Sequence, residues 1–219
     1  GLGWLCGAHG AAVDHLVAVE LVTADGRLLT ADSEQHAELF WALRGGGGNF
    51  GVATAFTYRL PPIDEVLAGT VVMRGEPRPF LRFLDELLAD SPDELDVAAG
   101  VLSIGGDACT FVRGCWCGEV AAGERIFERI RQFAPIVHDD VGRRRFHDFV
   151  DVSPMSDVRS MYWRGGELAR LTESVVDAFV AVLEAGLPAD CMVSLLHYVH
   201  GAAIRVPFDS TPLIREPGH

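Results

Sequence analysis

The sequence predicts an α+β protein in two units, the second an antiparallel sheet with helices on one face. Three observations point there. A Pro61-Pro62 pair divides the chain, strand-like and helix-like segments alternate through short turns, and the helix-like segments each carry one apolar stripe. The first unit is expected over 1–63 and the second over 64–219. With 219 residues and 49% hydrophobic content, the chain has ample material for packed cores.

The chain opens on a glycine-rich turn, Gly1-Leu2-Gly3. Val17 to Thr30 reads as a hairpin, because Asp25-Gly26 supplies a tight turn between two apolar stretches. Asp32 or Ser33 is expected to cap a helix through about Arg44, with Gln35 as the back-bonding partner of Asp32 and Ala37, Phe40, Trp41 and Arg44 at helical spacing. Four successive glycines, Gly45 to Gly48, then lead through Asn49-Phe50-Gly51 into Val52 to Leu60, a strand rich in β-branched and aromatic residues. In the second unit, strands are expected near Val66 to Arg74, Asp96 to Ile104, Cys109 to Cys117 and Met192 to His200, the last followed by the Ala202 to Val206 stretch. Helices are expected over Pro79 to Ala89, Glu124 to Ala134 and Leu168 to Ala185, the last stopped by Gly186 and Pro188.

The glycine run is the most informative stretch. Glycine costs folding entropy, so four in succession imply a backbone that needs positive φ or must approach a neighbour closely. Gly46-x-Gly48-x-x-Gly51 has the letters of a dinucleotide fingerprint, but here a helix precedes the glycines and a strand follows, the reverse of the order a Rossmann site needs. A P-loop fails as well, since no Gly-Lys-Ser/Thr follows.

Charge and cysteine usage exclude other classes. The net charge of −13 argues against a phosphate-tracking nucleic-acid surface, and Arg143-Arg144-Arg145 reads as a solvated face. No apolar run reaches the length of a membrane helix and no signal peptide is evident. Five cysteines without paired C-x-x-C spacing support neither a disulfide framework nor a zinc ribbon, so cytoplasmic thiols are expected. Cys115-Trp116-Cys117 puts both sulfurs on one face of a strand, which reads as apolar packing rather than a metal site. His197-x-x-His200 offers too few ligands for a metal. No metal is expected.

The flanks of the glycine run carry a resemblance. Leu39-Phe40-Trp41-Ala42-Leu43-Arg44-Gly45-Gly46-Gly47-Gly48-Asn49-Phe50-Gly51-Val52 resembles the signature of FAD-linked oxidases of the vanillyl-alcohol-oxidase type, which share a PCMH-type FAD-binding domain, and specifically of their berberine-bridge-enzyme-like branch. Gly1-Leu2-Gly3-Trp4-Leu5 and His9-Gly10-x-x-x-Asp14-His15 are similar to a second family segment, and the hairpin lies between the two blocks. Gly7-Ala8-His9 stands where these oxidases usually carry Arg-Lys-Tyr, so any polar contact from those side chains is lost while backbone contacts are not.

The resemblance implies the C-terminal part of a PCMH-type FAD-binding domain followed by a substrate domain, and FAD as the cofactor. It also implies hydride transfer from a small organic substrate to flavin N5, with dioxygen as acceptor and the isoalloxazine lying between the two domains. Gly1, Leu2, Gly3, Gly10, Gly48, Asn49, Gly51 and Val52 would meet the cofactor, mainly through main-chain groups; Asn49 would either fix the loop or touch the cofactor. The Val52 side chain is expected in the strand core. Tyr162, Trp163, His197 and Tyr198, with His200 beside them, are the substrate-side candidates, and no catalytic base is assigned. Family segments that hold the pyrophosphate and complete the FAD domain have no counterpart here, so the chain reads as an internal fragment, inactive alone and prone to associate through uncovered apolar surface. The competing class is a binding or degenerate domain that keeps the scaffold without flavin.

Overall fold

A computed structural model describes residues 1–104, 107–150, 168, 170–186, 192–207 and 209–213. The described residues separate into two units, one within 1–62 and 199–213 and the other within 63–198.

The first unit begins with a short helix, α1 (Cys6–His9), and a 3-10 turn at Ala12–His15. Three antiparallel strands follow, β1 (Leu16–Val22), β2 (Leu28–Asp32) and β3 (Val52–Tyr58), in the order β2-β1-β3. Gly26, at φ +82°, makes the hairpin turn. The helix α2 (Ala37–Leu43) lies between β2 and β3 in sequence. Its start differs from the expectation. The Asp32 carboxylate accepts from the Glu34 and Gln35 amides while the Gln35 carbonyl accepts from the Asp32 amide, closing a turn rather than opening a helix. The chain then passes through His36 in the left-handed region before helical bonding begins. Leu16, Val19, Leu21, Ala31 and Phe40 form the core.

A second departure concerns β3. Val52 is 71% exposed, Phe56 56% and Leu60 82%, so the Val52 side chain is not in the core. The reason is positional. β3 is an edge strand, and its Phe56 and Tyr58 rings stack on one another at 6.1 Å instead of beneath a covering layer. Such a contiguous apolar patch on a sheet edge favours association. The double variant Phe56→Glu, Leu60→Glu is therefore expected to shift the chain from associated to monomeric species in sedimentation velocity at micromolar concentration; an unchanged distribution would place the sticky surface elsewhere.

The second unit is built on a mostly six-stranded antiparallel sheet: β4 (Glu65–Met73), β5 (Leu95–Ile104), β6 (Asp107–Trp116), β7 (Ile136–Asp139), β8 (Gly142–Arg145) and β9 (Met192–His197). The order is β7-β4-β6-β5-β9, with β8 also on β4. The helices are α3 (Pro77–Ala89), α4 (Val120–Arg131), α5 (Phe146–Val150) and α6 (Glu173–Glu184). Phe80, Leu84, Leu87 and Leu88 of α3, with Phe127 and Ile130 of α4, pack on Leu67, Val71, Met73, Leu95, Val97, Val112 and Trp116 of the sheet. Helix α6 adds Val176 and Val180 against Leu81. Helices α3 and α4 cover one face, as expected from their apolar stripes, while the short α5 sets Phe149 against Arg113 on the other.

Boundaries shift where capping chemistry decides. Helix α4 starts four residues early because Glu119 caps it, its carboxylate accepting from the Ala121 and Ala122 amides at 3.0 Å each. Glu119→Ala is expected to cost about 1 kcal/mol, read from the urea midpoint, while Glu119→Asn should retain most of the stability. Residues 136–145 were not expected as strands. Arg143, Arg144 and Arg145 lie in β8, paired to β4 and held by ion pairs to Glu65, Asp140 and Asp64. The stretch after β9 is a 3-10 turn, Gly201–Ala203, packed against α1.

Candidate functional site

The glycine loop has two kinds of glycine. Gly45, at φ +146°, would place a Cβ 2.7 Å from the Leu213 amide nitrogen, and a Cβ on Gly46 would meet the Ala42 carbonyl at 2.6 Å. Gly51, at φ +150°, would set one 2.4 Å from the Val22 carbonyl oxygen. These three are glycine because their own chain occupies the space. Gly47 and Gly48 differ. Among the described residues nothing lies within 4 Å of a Cβ on Gly48, and at Gly47 only the Asn49 amide comes near, at 3.9 Å. The middle of the loop thus presents bare peptide groups to open space, while its two ends are packed down.

At the start of the chain, Gly1 and Gly3 are equally open, and Leu2 is 47% exposed. The Gly3 amide donates to the Cys6 thiol at 2.8 Å, and the Ala12 amide donates to the Gly1 carbonyl at 3.0 Å. Gly10, at φ +87°, ends α1, where the Asp14 carboxylate accepts from the Ala11 amide at 2.8 Å. The ring of His15 meets the His9 carbonyl through Nε2 at 2.7 Å.

Burial, then the charge of His15, lowers the His9 pKa. A depressed histidine pKa means the unfolded chain binds more protons between the two values, so this contribution to stability is present above about pH 6.5 and falls as the pH drops. His9→Gln should flatten the stability profile between pH 7.5 and 5.5, measured as the urea midpoint; an unchanged slope would assign it to other groups.

In the second unit, register places the substrate-side candidates. Thr70, Arg113, Ala98 and His197 form one cross-strand row, and Ala68, Cys115 and Asp96 the neighbouring one. The face opposite α3 and α4 therefore carries an arginine, a histidine and a buried aspartate. The Arg113 guanidinium lies 4.7 Å over the Phe149 ring and donates to the Phe149 carbonyl at 3.1 Å, and burial lowers its pKa. Burial pushes the Cys115 thiol far up and the Cys117 thiol to about 11, so neither is a thiolate nucleophile at neutral pH. His197 is exposed overall, and the partial desolvation of its ring lowers its pKa.

Tyr198 goes the other way, its hydroxyl donating to the Leu88 carbonyl at 2.9 Å among the helix-side core residues. His197 and Tyr198 are not brought together. Tyr162 and Trp163 lie outside the described residues. A concavity of about 310 Å³ between α3 and α4, lined by Leu87, Trp116, Ile126, Arg125 and Arg129, contains none of the expected site residues. No cluster of three metal-ligating side chains occurs among the described residues, and no helix among them is long and apolar enough to cross a membrane.

No family model matches the chain. Over 114 residues it is 39% identical to the FAD-linked oxidoreductase afoF of Emericella nidulans, covering 49% of this chain and 22% of that protein. Among solved structures, 6-hydroxy-D-nicotine oxidase from Arthrobacter nicotinovorans superposes with a TM-score of 0.68 at 25% identity, over 86% of this chain and 44% of that one. Over these segments the chain is similar to FAD-linked oxidoreductases. A berberine bridge enzyme variant shares its fold, with a TM-score of 0.76 at 18% identity over all of this chain and 47% of that one. The matched segments span 12 to 22% of the length of the curated relatives.

FAD, the cofactor of these oxidoreductases, is compatible with what the first unit offers. A dinucleotide needs close approach to backbone donors without side chains in the way. Gly47 and Gly48 supply that opening in a loop whose ends are fixed, and Gly1 and Gly3 supply a second stretch of bare chain. Trp41 and Arg44 were not expected as anything beyond helix positions; what they contact lies at 209–210, too far along the chain for spacing to reveal.

Proposed function

We propose that the complete protein is an FAD-dependent oxidase acting on a small organic substrate, with dioxygen as the electron acceptor. The observation that carries this reading is the loop from Gly45 to Val52, closed at both ends and open at Gly47 and Gly48. Bound FAD would supply a hydride acceptor for the substrate and a route for the electrons to dioxygen. This chain's own part is to bind and orient. Gly48, Asn49, Gly51 and Val52, with Gly1, Leu2, Gly3 and Gly10, would hold the cofactor chiefly through peptide groups. The exposed Val52 side chain would lie over it.

On the substrate side, His197 is the strongest of the expected residues. A neutral imidazole at pH 7 can accept a proton from a substrate hydroxyl or amine, and its lowered pKa keeps it neutral there. Among the described residues Cys6, Cys109, Cys115 and Cys117 form no disulfide and three of them are buried, which supports a reducing compartment such as the cytoplasm.

The test is the complete protein purified from its own reading frame. A yellow preparation with a flavin spectrum, bleached by substrate without oxygen and restored by air with peroxide release, is the expected result. In that protein Gly48→Val should lower FAD occupancy severalfold without changing the fold, because it fills open space rather than packed space. Full occupancy in Gly48→Val would move the cofactor contact away from this loop, and a colourless, folded wild type would favour a scaffold that has lost its flavin.

A further inference from the structure

We propose that Trp41 and Arg44 are positioning residues that clamp the 209–213 segment onto the glycine loop and so set the loop's shape. The consequence for FAD rests on the reading of that loop as a cofactor cradle; the clamp itself does not. Trp41 is 43% exposed, so burial does not account for where its indole sits. Its Nε1–H donates to the Asp209 carbonyl at 2.7 Å. Three residues on, and so on the same side of α2, the Arg44 Nη2 donates to the Ser210 carbonyl at 2.7 Å. Two consecutive carbonyls are taken by a side chain of α2 and by that of its C-cap residue, which fixes both the position and the register of the segment.

The segment then closes on the loop. Leu213 sits where a Gly45 Cβ would be, with its amide nitrogen 2.7 Å and its own Cβ 3.0 Å from that point. A continuous set of contacts therefore runs from α2 through residues 209, 210 and 213 to the first glycine. Closure has a cost. Arg44 Nε and Ser210 Oγ are buried without a hydrogen-bond partner among the described residues, and polar atoms held out of water oppose the closed form. The guanidinium also lies 4.9 Å from the centre of the Phe40 ring, which holds the fork in place. A segment held by two bonds against that cost should open when either donor is removed.

Hydrogen–deuterium exchange with mass spectrometry on the full 219-residue chain tests this. Trp41→Phe keeps the ring and deletes the donor; Arg44→Lys keeps the charge and deletes the fork; Ser210→Ala deletes only the partnerless hydroxyl. Peptides covering 209–213 and 45–51 should both exchange about tenfold faster in the first two variants and not in the third. Faster exchange confined to 209–213, with the glycine loop unchanged, would overturn the proposal, as would no change in either segment. If Arg44→Lys also loosens β1, the unit has opened more widely and Trp41→Phe decides. FAD occupancy of the same variants made in the complete protein separates the two readings. A complete wild type that holds no FAD counts against the cradle and leaves exchange to decide the clamp. Unchanged affinity in a variant with faster loop exchange would overturn the positioning role.

Discussion

Gly51→Val is expected to unfold the first unit, at a cost above about 3 kcal/mol. Two independent penalties fall on one atom. The backbone at φ +150° is open to glycine and strained for any L side chain, and the added Cβ would sit 2.4 Å from the Val22 carbonyl oxygen. That oxygen belongs to the end of β1, in the middle of a three-stranded sheet, and cannot rotate away as a flexible side chain would. Two other glycines separate the penalties. Gly26→Ala meets the positive φ with nothing within 4 Å, and should cost about 1 kcal/mol. Gly48→Ala meets no atom within 4 Å, and should change stability by less than about 1 kcal/mol. Urea unfolding, with amide exchange of β1 as the local probe, would check the order. If Gly51→Val were as stable as Gly48→Ala, the packing of this loop against β1 would be wrong.

The same series bears on what the sequence made legible. The glycine run and its flanks pointed to the FAD-linked relatives that the chain matches in part, because the pattern depends on local chemistry: a helix, a bare loop and a strand in fixed order. Periodicity gave α3 almost to the residue, since Phe80, Leu84, Leu87 and Leu88 form a stripe packed with the sheet and Leu81, beside it, is buried against α6. It failed at 136–145, where Ile136, Val137 and the arginines show no clear alternation. Those short strands exist through pairing with β4 and ion pairs to Glu65 and Asp64, contacts made about 65 to 80 residues away in sequence. Local reading failed for the same reason at Val52, whose strand looks like core but lies at a sheet edge. Division of labour within the loop was also hidden. Four identical letters cannot say that Gly45 is pinned by Leu213 while Gly48 faces open space.

Phe80→Ala should be the most destabilising single change in the second unit, at about 3–5 kcal/mol. Phe80 is fully buried one turn into α3, and its ring lies 5.7 Å from that of Phe133, which in turn stacks on Phe83 at 4.8 Å. Around it are Val71, Met73 and Leu84, all fully buried. The sheet beneath cannot collapse into the vacated volume without breaking β4 pairing on both sides, to β6 and to β7. Most of the cavity therefore stays open, which puts the cost at the upper end of the range for large-to-small core changes. Phe80→Leu keeps much of the volume and should cost about 1–2 kcal/mol, set by shape rather than by lost burial. Ile136→Ala, on a strand where the side chain is 47% exposed, should cost less than about 1 kcal/mol. Urea midpoints at constant m-value would rank the three; a Phe80→Ala protein no less stable than Ile136→Ala would mean that the helix layer does not close on the sheet as described.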